Sequence, residues 1–271
     1  MKLGISSYTY PWSVGVGDEI PAVRLSAHDL LARARALGVR VLQLADGLDL
    51  HLLRPDERAS IRAEADALGI ALEVGTRATK RQHLIDYLQV AVQLGAPFVR
   101  VVLRTAQQQL DAEACVALLR SVRAEFVQTG VILAIETHES LRAHELLDIL
   151  RRADGDWVGV CFDTANSLGC FEPAEMVLDM LRDYIVNFHI KDVTVRRSGH
   201  SLGFIIEGTP AGQGQLDLPA LISMVRTLPR PGVNAILEHW VPSAGSLEAT
   251  LAKEQQWAVE SVRYLRGFIH D

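Results

Sequence analysis

Short β-type runs alternate with amphipathic helical stretches along the whole 271-residue chain. The β-type runs cover residues 3–7, 40–44, 70–74, 98–103, 131–136, 158–163, 185–189 and 235–238. The helical stretches cover about residues 26–37, 55–68, 79–94, 111–128, 140–152, 173–181, 218–227 and 247–268. Strands that alternate with helices of about ten or more residues form βαβ units, and their strands pair in parallel.

Eight such units in a chain of this length predict an α/β fold, a closed (β/α)₈ TIM barrel that forms a single domain over residues 1–271. A doubly wound open sheet is the alternative. Against it, no G-x-G-x-x-G sequence follows the first strand, where a dinucleotide-binding sheet would have one. Residues 193–215 are predicted to be one long irregular segment, whose role stays open.

Composition excludes several classes of function. A net charge of −6 argues against a nucleic-acid partner, because phosphate binding usually requires a basic face. No apolar stretch approaches the roughly 18–20 residues that cross a bilayer, and the first residues resemble a strand rather than a signal peptide. Three cysteines without C-x-x-C spacing are typical of buried thiols in a reducing compartment. We therefore expect a cytoplasmic protein; its oligomeric state, a homo-oligomer included, stays open.

Four β-type runs in the second half of the chain each end on a residue that can bind a metal. These residues are Glu136, Asp163, His189 and Glu238. In a parallel barrel the carboxyl ends of all strands meet on one face, which carries the chemistry. Three carboxylates and one imidazole brought together there predict a mixed oxygen and nitrogen site for a divalent cation.

The segments around these four residues resemble a known family. They read Ala-Ile-Glu-Thr-His138, Phe-Asp-Thr-Ala-Asn166, His189-Ile-Lys-Asp192 and Ile-Leu-Glu238. Together they resemble the xylose-isomerase-like barrel superfamily of sugar phosphate isomerases and epimerases, over nearly the whole chain. The resemblance implies that the four ligands hold Mn²⁺, Mg²⁺ or Co²⁺. It also implies that Glu136 and Glu238 act as the catalytic acid/base pair.

Two features depart from the ketose 3-epimerases of that superfamily. Those enzymes have His where this chain has Asn166, and an amide cannot exchange a proton at neutral pH. They also have an Arg shortly before a Gly-rich turn, whereas here about ten residues separate Arg197 from the segment 208–214. This long loop and Asn166 together are similar to the 3-oxo-isoapionate decarboxylase-like branch.

Cationic side chains follow several of the predicted strands. Arg77 follows the third strand, Lys191 follows His189, and Arg197 lies in the long loop. Because guanidinium groups bind carboxylate or phosphate bidentately, these residues predict an anionic substrate. The predicted substrate-binding residues are Arg77, His138, Asn166, Lys191 and Arg197.

These observations predict an enzyme that isomerises or epimerises a small sugar or sugar acid through an enediolate stabilised by a divalent metal. The alternative is a metal-dependent lyase, a decarboxylase or dehydratase of a 3-oxo sugar acid such as 3-oxo-isoapionate. Decarboxylation of a β-keto acid also yields an enolate, so fold and ligands alone do not separate the two. A non-catalytic sugar-binding barrel is a further alternative. A nuclease of the endonuclease IV type is disfavoured, since the chain lacks extra histidines at its strand ends.

Overall fold

Eight parallel strands close into a barrel. The computed structural model describes residues 1–16, 19–77, 80–104, 110–199 and 202–270. In this part of the chain the strands are β1 (Leu3–Ser6), β2 (Val41–Leu44), β3 (Ala71–Arg77), β4 (Phe98–Val102), β5 (Ile132–Glu136), β6 (Val158–Asp163), β7 (Ile185–Ile190), β8 (Asp192–Arg197), β9 (Phe204–Thr209) and β10 (Asn234–Leu237). Of these, β8 and β9 pair only with each other, and the other eight form the barrel. The order around the barrel is β1-β10-β7-β6-β5-β4-β3-β2, which confirms the TIM barrel and excludes the open sheet.

Eight α-helices alternate with the barrel strands in the described part of the chain, as predicted. They are α1 (Ala27–Ala36), α2 (Pro55–Leu68), α3 (Arg81–Leu94), α4 (Ala112–Thr129), α5 (Ala143–Ala153), α6 (Ala174–Leu181), α7 (Leu218–Arg226) and α8 (Leu247–Leu265). Local sequence fixes their ends. The Asp111 carboxylate accepts a hydrogen bond from the Ala114 N–H at 2.7 Å at the start of α4, and Gly130 ends that helix with φ 71°. Thr79, the predicted start of the third helix, lies outside the described residues.

The pairing of neighbouring strands places the predicted metal ligands near the same end of the barrel. Asp163 is paired with His189 between β6 and β7, and Glu136 is paired with Cys161 between β5 and β6. Glu238 directly follows β10, whose Ile236 is paired with His189. Because all eight barrel strands run in the same direction, these side chains reach the same end of the barrel.

The segment 193–215 is not wholly irregular, and that prediction was wrong. Residues 192–197 and 204–209 form an antiparallel hairpin, β8–β9, with Asp192 paired to Thr209 and Arg197 to Phe204. Apolar residues alternate along β8, at Val193 and Val195, a pattern that favours a strand. The second strand begins with three consecutive apolar residues, 204–206, and so lacks this alternation. His200 and Ser201 lie outside the described residues.

No α-helix of the described residues combines the length and the apolar composition that crossing a membrane requires.

Candidate active site at the carboxyl ends of the strands

The structure brings the four predicted metal ligands together in the buried mouth of the barrel. One ligand atom from each residue lies within 4.8 Å of every other. His189 Nδ1 lies 3.4 Å from Glu238 Oε1, 3.6 Å from Glu136 Oε1 and 3.9 Å from Asp163 Oδ2. Donor atoms about 2.0–2.4 Å from a common ion lie about 3–5 Å from one another. The spacing therefore fits a divalent cation held by these side chains.

The orientation of His189 supports the same conclusion. Its Nδ1 atom is buried and has no hydrogen-bond partner among the described residues, while its Nε2 atom lies 2.9 Å from Gln43 Oε1. The Gln43 amide nitrogen donates to Glu73 Oε2 and to Asn187 Oδ1, both at 3.1 Å. Its oxygen must therefore face His189 and accept the Nε2 proton, because the two neighbours of the amide nitrogen are acceptors. Nδ1 therefore faces the three carboxylates and can bind an ion through its lone pair. Without an ion, burial alone would lower the pKa of His189, but Cys161 and Glu238 raise it well above its ordinary value.

Neutral donors hold the carboxylates in place. Asp163 Oδ1 accepts from the backbone N–H groups of Ala165 and Asn166 at 2.8 and 2.9 Å. The Asn166 side-chain amide donates to Glu136 Oε1 at 3.0 Å, and the Ser6 hydroxyl donates to Glu238 Oε1 at 2.9 Å. Asn166 thus bonds a predicted ligand directly and also lines the cavity above it.

Lys191 inserts its ammonium group among the carboxylates. Nζ lies 2.7 Å from Glu238 Oε2 and also contacts Asp163 Oδ2, and the side chain is buried. Burial alone would lower the pKa of Lys191, but the carboxylates of Asp163 and Glu238 outweigh it and raise that pKa. Burial alone would raise the pKa of Glu238, whereas His189 and Lys191 bring it well below its ordinary value. The site therefore contains a charged ammonium next to its ligands.

Arg100 is a site residue that the sequence analysis missed. It lies in the middle of β4 with 1% of its surface exposed, and its Nε is 3.1 Å from Glu136 Oε2. Gly75 makes room for it, since a Cβ at that position would lie 2.8 Å from Arg100 Nε. Burial alone would raise the pKa of Glu136, but Arg100 and His189 lower it to about 2. Glu136 is thereby held as a carboxylate.

A second cluster, formed by Tyr8, Asp46, Arg77 and Arg100, lies beside the ligands on the strands of the first half of the barrel. The Tyr8 hydroxyl donates to Asp46 Oδ2 at 2.8 Å and accepts from the Arg77 guanidinium at 2.9 Å. Arg77 Nε and Arg100 Nη1 lie 3.4 and 3.6 Å from the same Asp46 oxygen. Burial is the main reason why the pKa of Tyr8 is raised, so the phenol keeps its proton. Of this cluster the sequence predicted only Arg77.

The predicted substrate-binding residues do not all meet. Arg77, His138, Asn166 and Lys191 line one inner cavity together with Arg100 and Glu238, and a chamber of about 460 Å³ opens above it. Arg197 does not line this cavity: it lies on the exposed hairpin, with its guanidinium 4.6 Å from the centre of the Phe204 ring. Ile206 and Trp240 complete the outer chamber instead.

Comparisons with known proteins agree with this geometry. The xylose isomerase-like TIM barrel family matches residues 31–268. A 3-oxo-isoapionate decarboxylase of Pectobacterium atrosepticum is 32% identical over 265 residues, covering 98% of this chain and 95% of the relative.

Two solved structures share the fold. D-psicose 3-epimerase of Clostridium cellulolyticum H10, solved with D-tagatose, superposes with a TM-score of 0.75 at 14% identity over 99% of both chains. A xylose isomerase-like TIM barrel protein of Mycobacterium smegmatis in complex with magnesium superposes with a TM-score of 0.70 at 16% identity over 97% of both chains. The chain thus belongs to the xylose isomerase-like TIM barrel family.

Proposed function

We propose that this protein is a metal-dependent lyase that decarboxylates a small 3-oxo sugar acid, of which 3-oxo-isoapionate is the first candidate. The observation that carries the proposal is the buried Lys191 ammonium in contact with Asp163 and Glu238. Loss of CO₂ from a 3-oxo acid leaves an enolate that must take up a proton, and Lys191 is a proton donor next to the ligands. The 32% identity to a decarboxylase over nearly the whole chain supports the same reaction.

Glu136, Asp163, His189 and Glu238 would hold the divalent cation, with Mn²⁺, Mg²⁺ and Co²⁺ as the candidates. Such a cation, when bound, acts as a Lewis acid that stabilises negative charge on the carbonyl oxygen. Gln43 keeps His189 in the tautomer that can bind it, and Asn166 and Ser6 orient the glutamates. The remaining steps belong to the side chains around this centre.

In the proposed reaction the bond between C2 and the carboxylate carbon breaks, and its electron pair forms the enolate while CO₂ leaves. The Lys191 ammonium then donates a proton to C2, which gives the neutral ketone, and the lysine regains a proton from water. Arg77 and Arg100 face the same cavity and would hold an anionic substrate. Trp240, with its ring centre 5.8 Å from Lys191 Nζ, lines the same cavity.

The second candidate is the isomerase or epimerase reaction on a sugar. It is favoured by the two glutamates, whose carboxylates lie 3.6 and 3.4 Å from His189 Nδ1, as an acid/base pair would require. Against it, Arg100 and Asn166 both bond Glu136, which makes that carboxylate a weak base. The fold shared with an epimerase is compatible with either reaction.

The test compares the two reactions on protein loaded with Mn²⁺. A panel of 3-oxo sugar acids labelled with ¹³C in the carboxylate is assayed for labelled CO₂, and D-fructose and D-tagatose are assayed in D₂O for exchange beside the carbonyl. We expect enzyme-dependent CO₂ release and no exchange into the neutral ketoses. Exchange or epimerisation of the ketoses without CO₂ release from any acid would replace the proposal by the second candidate.

A further inference from the structure

We infer that the cluster of Tyr8, Asp46, Arg77 and Arg100 is a carboxylate-binding subsite that selects a singly charged sugar acid as the substrate. This inference rests on the proposed function and assigns part of the substrate to a particular wall of the cavity. The two guanidinium groups line the same inner cavity as Lys191 and Glu238. A substrate that reaches the metal ligands therefore also reaches the two arginines.

Asp46 lies between the two arginines. Arg77 Nε and Arg100 Nη1 both approach Asp46 Oδ2, at 3.4 and 3.6 Å, distances longer than a charge-assisted hydrogen bond. Tyr8 bonds Asp46 and Arg77 and lies under Arg100, whose Cζ is 5.6 Å from the centre of its ring. Asp46 thus pairs with two cations, and Arg100 pairs with Glu136 as well. Each guanidinium has five N–H donors, more than its contacts with the described residues use, so donors remain for a further anion.

The charge of the cavity with an ion bound supports a monoanionic ligand. Apart from the His138–Glu139 pair at the rim, the charged side chains among the described residues that line the inner cavity or contact its lining are four carboxylates and three cations: Asp46, Glu136, Asp163, Glu238, Arg77, Arg100 and Lys191. His189 adds no charge in that state, because an imidazole that binds an ion is neutral. With a divalent cation the sum is one positive charge, which a single substrate carboxylate would neutralise. A neutral ketose would leave it uncompensated in a largely buried site.

Arg100 also couples the subsite to the metal ligands. Its Nε lies 3.1 Å from Glu136 Oε2 in an ion pair, while Glu136 Oε1 faces His189 Nδ1 at 3.6 Å. The Arg100 guanidinium is therefore a direct neighbour of a metal-ligand residue. A short sugar acid could place its carboxylate at the arginines and its carbonyl oxygen at the metal ligands, because these two groups are only a few bonds apart.

The experiment measures binding of two unreactive probes to Mn²⁺-loaded protein by calorimetry. Threonate is a four-carbon sugar acid without a 3-oxo group, and threitol is its neutral counterpart. We expect threonate to bind at least about 10-fold more tightly than threitol. Arg77→Met, at a half-exposed position that tolerates the change, should weaken threonate binding about 10-fold and leave threitol binding unchanged. Arg100→Lys, which keeps the charge but removes the planar fork, should also weaken threonate selectively.

The matched control is Arg104→Met. Arg104 also follows β4, but it bonds the Ser140 carbonyl oxygen at 3.1 Å and does not line the cavity. Equal affinity for both probes, or equal effects of Arg77→Met and Arg104→Met, would overturn the subsite. If threonate binding depends on Arg77 but no 3-oxo acid releases CO₂, the subsite stands and the proposed decarboxylation fails. If Arg77→Met releases CO₂ with an unchanged KM, the proposed decarboxylation stands and the subsite fails.

Discussion

The two halves of the barrel mouth carry different chemistry. The half formed by β5, β6, β7 and β10 provides the ligand centre, in which an imidazole and three carboxylates lie within 4.8 Å of one another. The half formed by β1 to β4 provides Tyr8, Asp46, Arg77 and Arg100, which contribute two positive charges and one carboxylate, and its Arg100 also pairs with Glu136 of the first half. The first half is suited to bind a cation and the second to bind an anion. A substrate bound between them would therefore be polarised from both sides.

The two halves also differ in how their residues are fixed. Each ligand comes from the end of a different strand and is held by a neutral donor, such as the Ser6 hydroxyl or the Asn166 amide. The arginines are held by charged partners: Arg100 by Glu136 and Asp46, and Arg77 by Asp46 together with the Tyr8 hydroxyl. We therefore expect changes in the ligand half to affect chemistry and metal binding, and changes in the arginine half to affect stability and substrate selection.

The largest effect is expected for Lys191→Met in the ligand half. Removal of a general acid typically lowers the rate about 10²–10⁴-fold, and kcat for CO₂ release should fall by this factor. Mn²⁺ affinity, measured by calorimetry, should not fall, because Lys191 repels a cation. Lys253→Met is the control. Lys253 lies on α8, outside the cavity, and donates to the Pro242 carbonyl oxygen. Near-normal turnover in Lys191→Met would remove the lysine from the proposed mechanism.

Arg100→Met tests the arginine half. Breaking a buried ion pair by removing one partner typically costs about 3–5 kcal/mol, and Arg100 is buried against Glu136. The free energy of unfolding of the metal-free protein in urea should fall by this amount. Arg77→Met, at a half-exposed side chain, should cost less than about 1 kcal/mol. Equal costs for the two variants would show that the cluster is one structural unit rather than a buried anchor with an exposed partner.

The difference between the halves also explains what the sequence could predict. The barrel and the four ligands were predictable because each ligand closes an apolar run at the end of a strand. Arg100 was not, because it lies inside β4, and Asp46 was not, because it comes two residues after β2 ends. A signal did exist. Gln43, Glu73, Arg100 and Asn187 are polar residues inside strands buried on both faces, which ordinarily read as continuous apolar runs.

The function was less predictable than the fold. Epimerases and decarboxylases share this scaffold. The motifs around Glu136, Asp163, His189 and Glu238 therefore predicted a candidate metal centre but not the reaction. The position of Arg197 depends on the hairpin, and the sequence did not reveal that hairpin. The Arg100–Glu136 contact depends on register between β4 and β5, which no local pattern encodes.

An intermediate effect is expected for Gln43→Leu. Leucine cannot accept a hydrogen bond from His189 Nε2, so the imidazole loses the partner that fixes its tautomer. Loss of such a partner typically weakens metal binding about 10–100-fold. Calorimetry with Mn²⁺ measures the affinity, and the ¹⁵N shifts of the imidazole report the tautomer. Gln93→Leu, on the exposed face of α3, is the control. An unchanged affinity together with an unchanged tautomer would show that other contacts orient the ring.

The smallest effect is expected for Ser6→Ala, which removes one of the contacts that join the two halves. The Ser6 hydroxyl, at the end of β1, donates to Glu238 Oε1 and accepts from the Tyr8 N–H, both at 2.9 Å. Its removal leaves one buried donor unpaired and should cost about 1–2 kcal/mol of stability, with a loss of Mn²⁺ affinity below about 10-fold. Ser121→Ala, on the exposed face of α4, should cost less than about 0.5 kcal/mol.

Glu238 keeps its contact with Lys191 in the variant, so the carboxylate stays oriented. A loss of affinity as large as that of Gln43→Leu would mean that the ligand half depends on β1 for its geometry, and the two halves would then act as one unit.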